Sequence, residues 1–178
     1  MCIRSYKEHQ PEIHESVWID PSAVVIGNVK LEKDVSVWPH VTIRGDVNSI
    51  TVGHLTNIQD GAVLHCTHDG PYTTGGKSLV VGSQVTIGHQ ACLHGCTIGN
   101  KVLIGISAIV LDGAIIEDFV ILGAGSIVPP GKVLESGYLY VGSPAKMSRP
   151  LKDSEKEALS YSATHYRALA IEHEKVTG

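Results

Sequence analysis

An aliphatic residue recurs at every sixth position along most of this chain. Ile19, Val25, Leu31, Val37 and Ile43 form the first run, and after a slip of three the register resumes at Val52, Ile58 and Leu64. A non-repetitive stretch, 67–78, interrupts it with Gly70-Pro71 and Gly75-Gly76. The period returns at Val81, Ile87 and Leu93, slips once more, and continues through Ile98, Ile104, Val110, Ile116, Leu122 and Val128. Four places after most of these aliphatics stands a small or β-branched residue: Ala23, Val29, Val35, Val41, Val47, Thr56, Ala62, Val85, Ala91, Val102, Ala108, Ala114, Val120 and Ser126. An amphipathic helix would repeat every 3.6 residues and an ordinary strand every two, so a period of six fits neither. It fits an all-β solenoid, a parallel β-helix whose coil has three short faces of one hexapeptide each. Coils then stack at about 4.8 Å and align the aliphatics into one continuous core. Glycine often follows the aliphatic directly, as at Gly53, Gly82, Gly88, Gly99, Gly105 and Gly123, and suits a chain that turns sharply between short strands.

After Pro150 the pattern changes. Ser154 and Glu157 have capping-box spacing, and Ala158, Leu159, Ala163, Tyr166, Leu169, Ala170 and His173 recur near helical spacing. The chain thus divides into a β-helix over 1–150, its first 16 residues a lead-in, and 151–178 carrying a C-terminal α-helix over 153–175 that packs on the coils.

Length and charge narrow the function classes. The 178 residues fit one domain, and 14 basic against 18 acidic side chains give no electrostatic footprint for nucleic acid. No apolar run approaches the roughly 20 residues that cross a bilayer. The first residues lack the apolar core of a signal peptide, so the expected location is the cytoplasm. Cys2, Cys66, Cys92 and Cys96 are too few and scattered for a disulfide framework. Cys92, His94 and Cys96 alternate, but without a paired CxxC they read as small buried residues rather than a thiolate metal site.

Among ten histidines, register singles out three. The hexads at 52, 58 and 64 make one coil and those at 81, 87 and 93 the next, 29 residues on, which is an 18-residue coil plus an 11-residue insertion. His65 and His94 both follow their aliphatic directly, so they stack one above the other. Two imidazoles about 4.8 Å apart can share a zinc at about 2.0–2.1 Å per bond. His89, two places after its aliphatic on the preceding face, reaches such a metal only from another copy, which points to a homotrimer with three sites. Asp60 shares the column of His89, and Arg44 that of His65, so Arg44 should approach Asp60 across the subunit boundary as a bidentate pair.

Together, Arg44-Gly45-Asp46, Asn57-Ile58-Gln59-Asp60, Leu64-His65, Gly88-His89 and Leu93-His94-Gly95-Cys96 resemble the signature of γ-class carbonic anhydrases. The likeness is to their short bacterial branch, whose members also carry the labels ferripyochelin-binding protein and acyl- or acetyltransferase. This resemblance implies a left-handed coil and a metal held by His65, His89 and His94, while Arg44, Asp46, Gln59 and Asp60 line the site or hold the trimer. Tyr166 resembles a C-terminal tyrosine that short members direct toward the metal pocket. The chain departs from the founding enzymes at Val47, where they carry glutamate, and in the 67–78 insertion, which offers Asp69 but no glutamate. His165 stands where short relatives have asparagine.

Three neutral imidazoles with a fourth position open define a catalytic zinc site, and such a metal lowers the pKa of its water to about 7. The implied reaction is hydration of carbon dioxide to bicarbonate by a zinc-bound hydroxide at the trimer interfaces. Gln59 would position the nucleophile or bicarbonate, Asp46 would help accept a proton, and His68 is a candidate proton shuttle. Iron(II) and cobalt(II) accept the same donors. The scaffold also serves acyltransferases, a zinc-dependent acyl-CoA thioesterase, and trimers whose metal is only structural. Val141-Gly142-Ser143-Pro144-Ala145-Lys146 resembles the terminal turn of the transferases but occurs in metal-binding members too.

Overall fold

Every hexad aliphatic from Ile19 to Val128 is buried in the computed structural model, which describes residues 2–177, and the column continues through Leu134 and Tyr140. The chain is a left-handed parallel β-helix closed by one C-terminal helix. Strands of two or three residues stack in register on three faces. Val52, Ile58 and Leu64 sit directly beneath Val81, Ile87 and Leu93, as the period predicts. Two longer strands, Val24–Leu31 and Thr42–Val52, run unbroken around one corner and fuse two faces into a single sheet.

Two details differ from the sequence reading. Val47 belongs by spacing to the second buried column but is 42% exposed, and Ile50, two places before Val52, fills the core there instead. The three-residue slip is thus extruded at 47–49, where a longer coil costs no core contact. Secondly, the left-handed backbone conformation falls three places after the aliphatic, at Asp34, His40, Leu55, Gln84, Gln90, Lys101, Ser107 and Phe119. The glycine one place after it answers another demand. A Cβ on Gly53 would lie 2.7 Å from the carbonyl carbon of Gly82 in the next coil, so coil-to-coil approach, not turning, excludes a side chain.

The helix α1 spans Asp153–Thr177. Its capping box sits two residues earlier than the Ser154–Glu157 spacing implies: the Lys152 N–H donates to Glu155 Oε2 at 2.8 Å. Arg149, on the preceding strand Lys146–Pro150, grips the same carboxylate with two N–H···O bonds of 2.8 Å, which ties the first turn of the helix to that strand. Those bonds hold the Glu155 carboxyl at about 2, against an ordinary 4.5. A depressed carboxylate contributes above its unfolded pKa and loses that contribution as pH falls through the folded one. Glu155→Gln should therefore speed amide exchange in the first turn of α1 at neutral pH, and the difference from wild type should fade between pH 4.5 and about 2.

Along one face, α1 touches the strands Trp18–Ile19, Ser36–Val37, Asn57–Ile58 and Thr86–Ile87. Leu159, Ala163 and Ala170 are buried there. Trp18 and Trp38 meet edge to face at 4.8 Å, and Tyr166 and His173 pack on them at 5.5 and 5.2 Å from Trp38. The Arg167–Asp34 ion pair at 3.1 Å adds a polar tether. Among the described residues no helix is long and apolar enough to cross a membrane.

Candidate metal centre

Stacking places Arg44, His65 and His94 in one column, because the strands carrying them pair Cα to Cα in that register. The two imidazoles lie 5.0 Å apart between ring centres, with His65 Nδ1 and His94 Nε2 facing each other at 3.0 Å. Each ring's other nitrogen meets a carboxylate: His65 Nε2 lies 2.9 Å from Asp46 Oδ1, and His94 Nδ1 lies 3.0 Å from Asp112 Oδ1. Arg44 donates from Nη1 to Asp46 Oδ2 at 2.6 Å, and the Thr67 hydroxyl donates to Asp112 Oδ1, also at 2.6 Å.

The carboxylates settle the protons. An ionised carboxylate only accepts, so the nitrogen facing it carries the hydrogen and the opposite nitrogen of a neutral ring carries a lone pair. Two lone pairs consequently face one another across 3.0 Å, an arrangement that repels unless a cation lies between them. Tetrahedral bonds of about 2.0–2.1 Å would set the nitrogens about 3.3 Å apart, within a few tenths of an ångström of the distance found. Charge in the site agrees. Burial pushes the Asp46 carboxyl up, but hydrogen bonds from His65 and Arg44 and the Arg44 charge outweigh it and hold it below the usual range. Burial lowers His65, and the Arg44 charge adds to this, against the opposing bond to Asp46. The neutral imidazole, the form that binds metal, is therefore favoured.

His89 does not join this pair within one chain. Among the described residues no three metal-ligating side chains converge. His89 lies on the adjoining face, its Nδ1 2.9 Å from Asp60 Oδ2, as the shared column predicts. By the same logic its Nε2 presents a free lone pair. Gln59 is buried beside it, donating to Asn57 Oδ1 at 3.1 Å and hydrogen-bonded to the Tyr166 hydroxyl. Burial raises the Tyr166 pKa, with the Asp60 charge assisting and the Gln59 bond opposing, so the phenol stays neutral. Two clusters result: Arg44, Asp46, His65 and His94 on one face, and Gln59, Asp60, His89 and Tyr166 on the next. Spacing directed Arg44 toward Asp60 of a neighbour; within the chain Arg44 is already paired with Asp46 and Asp60 with His89.

Sequence reasoning missed Asp112 and Thr67. Leu93 pairs with Val110 across a shortened coil of 17 residues, so Asp112 falls one place past the register partner of His94, level with Gly95, and the column alone did not point to it. His68 and Asp69 line an open cleft of about 360 Å³ whose wall includes Asp46. Cys66 and Cys96 are buried, with burial pushing the Cys96 thiol up to about 12, as expected of thiols that pack rather than bind metal. Cys92, read as buried, is only half-buried, its thiol also raised by burial.

Stacked hexapeptide coils with a carboxylate-backed histidine pair on one face define a hexapeptide-repeat protein, and comparison with known proteins agrees. The family described as bacterial transferase hexapeptide (six repeats) matches residues 10–45. Protein YrdA of Escherichia coli K12 is 56% identical over 164 residues, covering 92% of this chain and 89% of that protein. The mitochondrial gamma carbonic anhydrase 1 of Arabidopsis thaliana is 39% identical over 165 residues, covering 92% of this chain but 59% of that longer protein. The crystal structure of a hexapeptide transferase family protein from Anaplasma phagocytophilum superposes with a TM-score of 0.87 at 39% identity, covering 95% of this chain and 96% of that one. The chain belongs to the hexapeptide-repeat family, and its relatives there include γ-class carbonic anhydrases and YrdA.

Proposed function

We propose that this protein is a γ-class carbonic anhydrase, hydrating carbon dioxide to bicarbonate at metal centres completed between the copies of a homotrimer. His65 and His94 of one copy and His89 of the next would hold zinc, or iron(II) or cobalt(II) in its place. The observation that carries this reading is that His65 Nδ1 and His94 Nε2 face each other across 3.0 Å while the other nitrogen of each ring meets a carboxylate. Zinc bound by neutral imidazoles supplies Lewis acidity that brings the pKa of water down to about 7. The chain's own residues do the rest. Asp46 and His68 line the same open cleft, which gives a proton a way out to solvent. Asp46, held ionised with both oxygens engaged by His65 and Arg44, is a weak acceptor, so its part would be to hold the His65 ring and His68 would take up the proton. Gln59, its amide oriented by Asn57 and Tyr166, offers a fixed hydrogen bond to the reacting oxygen.

Stopped-flow hydration of carbon dioxide by metal-defined protein, run beside a panel of acyl-CoA donors and thioesters, tests the reading. Hydration that disappears on chelation supports it. Metal-independent acyl transfer would replace it with the activity that the name of the Anaplasma relative carries. Gln59→Ala should slow hydration by about tenfold or more, the size of one lost transition-state hydrogen bond of about 1.5 kcal/mol. An unchanged rate removes Gln59 from the mechanism.

A further inference from the structure

We propose that Asp112 is a positioning residue of the metal centre: it fixes the tautomer and ring orientation of His94, and so sets how tightly the centre holds its metal. The inference rests on the metal-centre reading above and assigns a role to a side chain two coils away from His65, outside the motifs that mark the site.

Three observations converge on it. His94 Nδ1 and the Thr67 hydroxyl lie 3.0 and 2.6 Å from the same oxygen, Asp112 Oδ1. An oxygen that accepts from both leaves His94 Nε2 unprotonated, aimed at His65 Nδ1. Secondly, Thr67 is itself pinned. It stands at the neck of the 67–78 insertion, where its N–H and C=O pair with Lys77 at 2.9 and 3.0 Å. The neck therefore holds the hydroxyl that holds the carboxylate. Thirdly, room has been made for that carboxylate. A Cβ on Gly95 would collide with Asp112 Oδ1 and come within 2.9 Å of Lys77 Cβ, and Gly95 also has a φ of +51°. The glycine beside the ligand keeps space for the group that orients the ligand. Asp46 does the same for His65 and Asp60 for His89, so each of the three imidazoles has one carboxylate behind it. Such partners raise ligand basicity and remove a rotational freedom that metal binding would otherwise have to freeze, and their loss typically weakens binding by about 10–100-fold.

The test uses the full-length protein and two readouts. Zinc and cobalt affinities come from chelator competition for wild type, Asp112→Ala, Asp112→Asn and Gly95→Ala. Ring-nitrogen NMR of metal-free, 15N-histidine-labelled protein reports the His94 tautomer independently of any metal. Asp112→Ala should weaken zinc binding by about 10–100-fold and lose the Nδ1–H form of His94. Asp112→Asn, whose amide oxygen still accepts, should keep that tautomer and recover part of the affinity. Gly95→Ala should behave like Asp112→Ala although Asp112 is intact. Wild-type affinity and an unchanged His94 tautomer in Asp112→Ala would overturn the inference, and thermal melts of each variant exclude a trivial loss of fold. Should the wild-type protein fail to bind zinc or cobalt, the proposed function falls with it. The tautomer readout then decides Asp112 alone: a lost Nδ1–H form keeps the orienting role, and an unchanged one removes it.

Discussion

Mixing His89→Ala chains with His65→Ala chains should restore carbon dioxide hydration that neither variant shows alone. Each variant by itself has no centre with three imidazoles, and its turnover should fall by about 10³-fold or more, since both the Lewis acid and the orientation it provides are lost. In a trimer that shares each centre between neighbours, a site is intact when its stacked pair comes from a His89→Ala chain and its third imidazole from a His65→Ala chain. Random mixing of equal amounts then repairs about one quarter of all sites, which is one site in each mixed trimer once unmixed trimers are removed. The control follows from the same geometry. His65 and His94 face each other within one chain at 3.0 Å, so mixing His65→Ala with His94→Ala should restore nothing. Recovery in the control, or none in the first mixture, contradicts a centre divided in this way. Co-expression under two affinity tags, with rates measured on the doubly purified trimers, gives both results in one series.

This outcome is expected because of what holds His89. Its Nδ1 is tied to Asp60 on a different face from the His65–His94 column, and neither strand moves without breaking the stack on both sides. The cost of bringing His89 to the pair inside one chain would be the ladder that forms the fold. A second copy would supply the nitrogen with both chains left as they are.

Much of this was legible in the sequence, because a solenoid turns sequence separation into spatial register. Once a coil is a fixed number of residues, the 29-residue offset between Leu64 and Leu93 stacks His65 under His94, and the same offset stacks Asp60 under His89. What escaped depended on side chains or corners, where the period carries no information. Val47 has the composition of a core position, but only the structure shows which residues of the slip are extruded. The glycines after each aliphatic looked like turn formers; they are spacers between coils, and the turning is done by residues as unlike as Leu55, Gln84 and Phe119. The helix begins at Asp153 as read, but Arg149 holds Glu155 from another element, so the cap contact forms between Lys152 and Glu155 rather than between Ser154 and Glu157. Asp112 was hidden because one acidic residue in a six-residue repeat gives no sign of which neighbour its carboxylate turns toward.

Two adjacent isoleucines separate core from surface sharply in this architecture and differ in nothing but position. Ile116 is fully buried, stacked between Ile98 below and Leu134 above, whereas Ile115 points outward from the same two-residue strand and is 43% exposed. The substitutions Ile116→Ala and Ile115→Ala remove the same atoms. At Ile116 the change opens a cavity that both neighbouring coils border, and it should cost about 2–5 kcal/mol, read as a shift in the urea midpoint. At Ile115 the loss should stay within about 0.5 kcal/mol. In a stack where each coil touches only the next, the large loss is borne by two interfaces rather than spread through a globule. The coils of Ile116 lie toward the C-terminal end, beyond those of His65 and His94, so zinc affinity should be retained wherever Ile116→Ala remains folded. An equal destabilisation by both substitutions would mean that the six-residue column is not what holds the coils together.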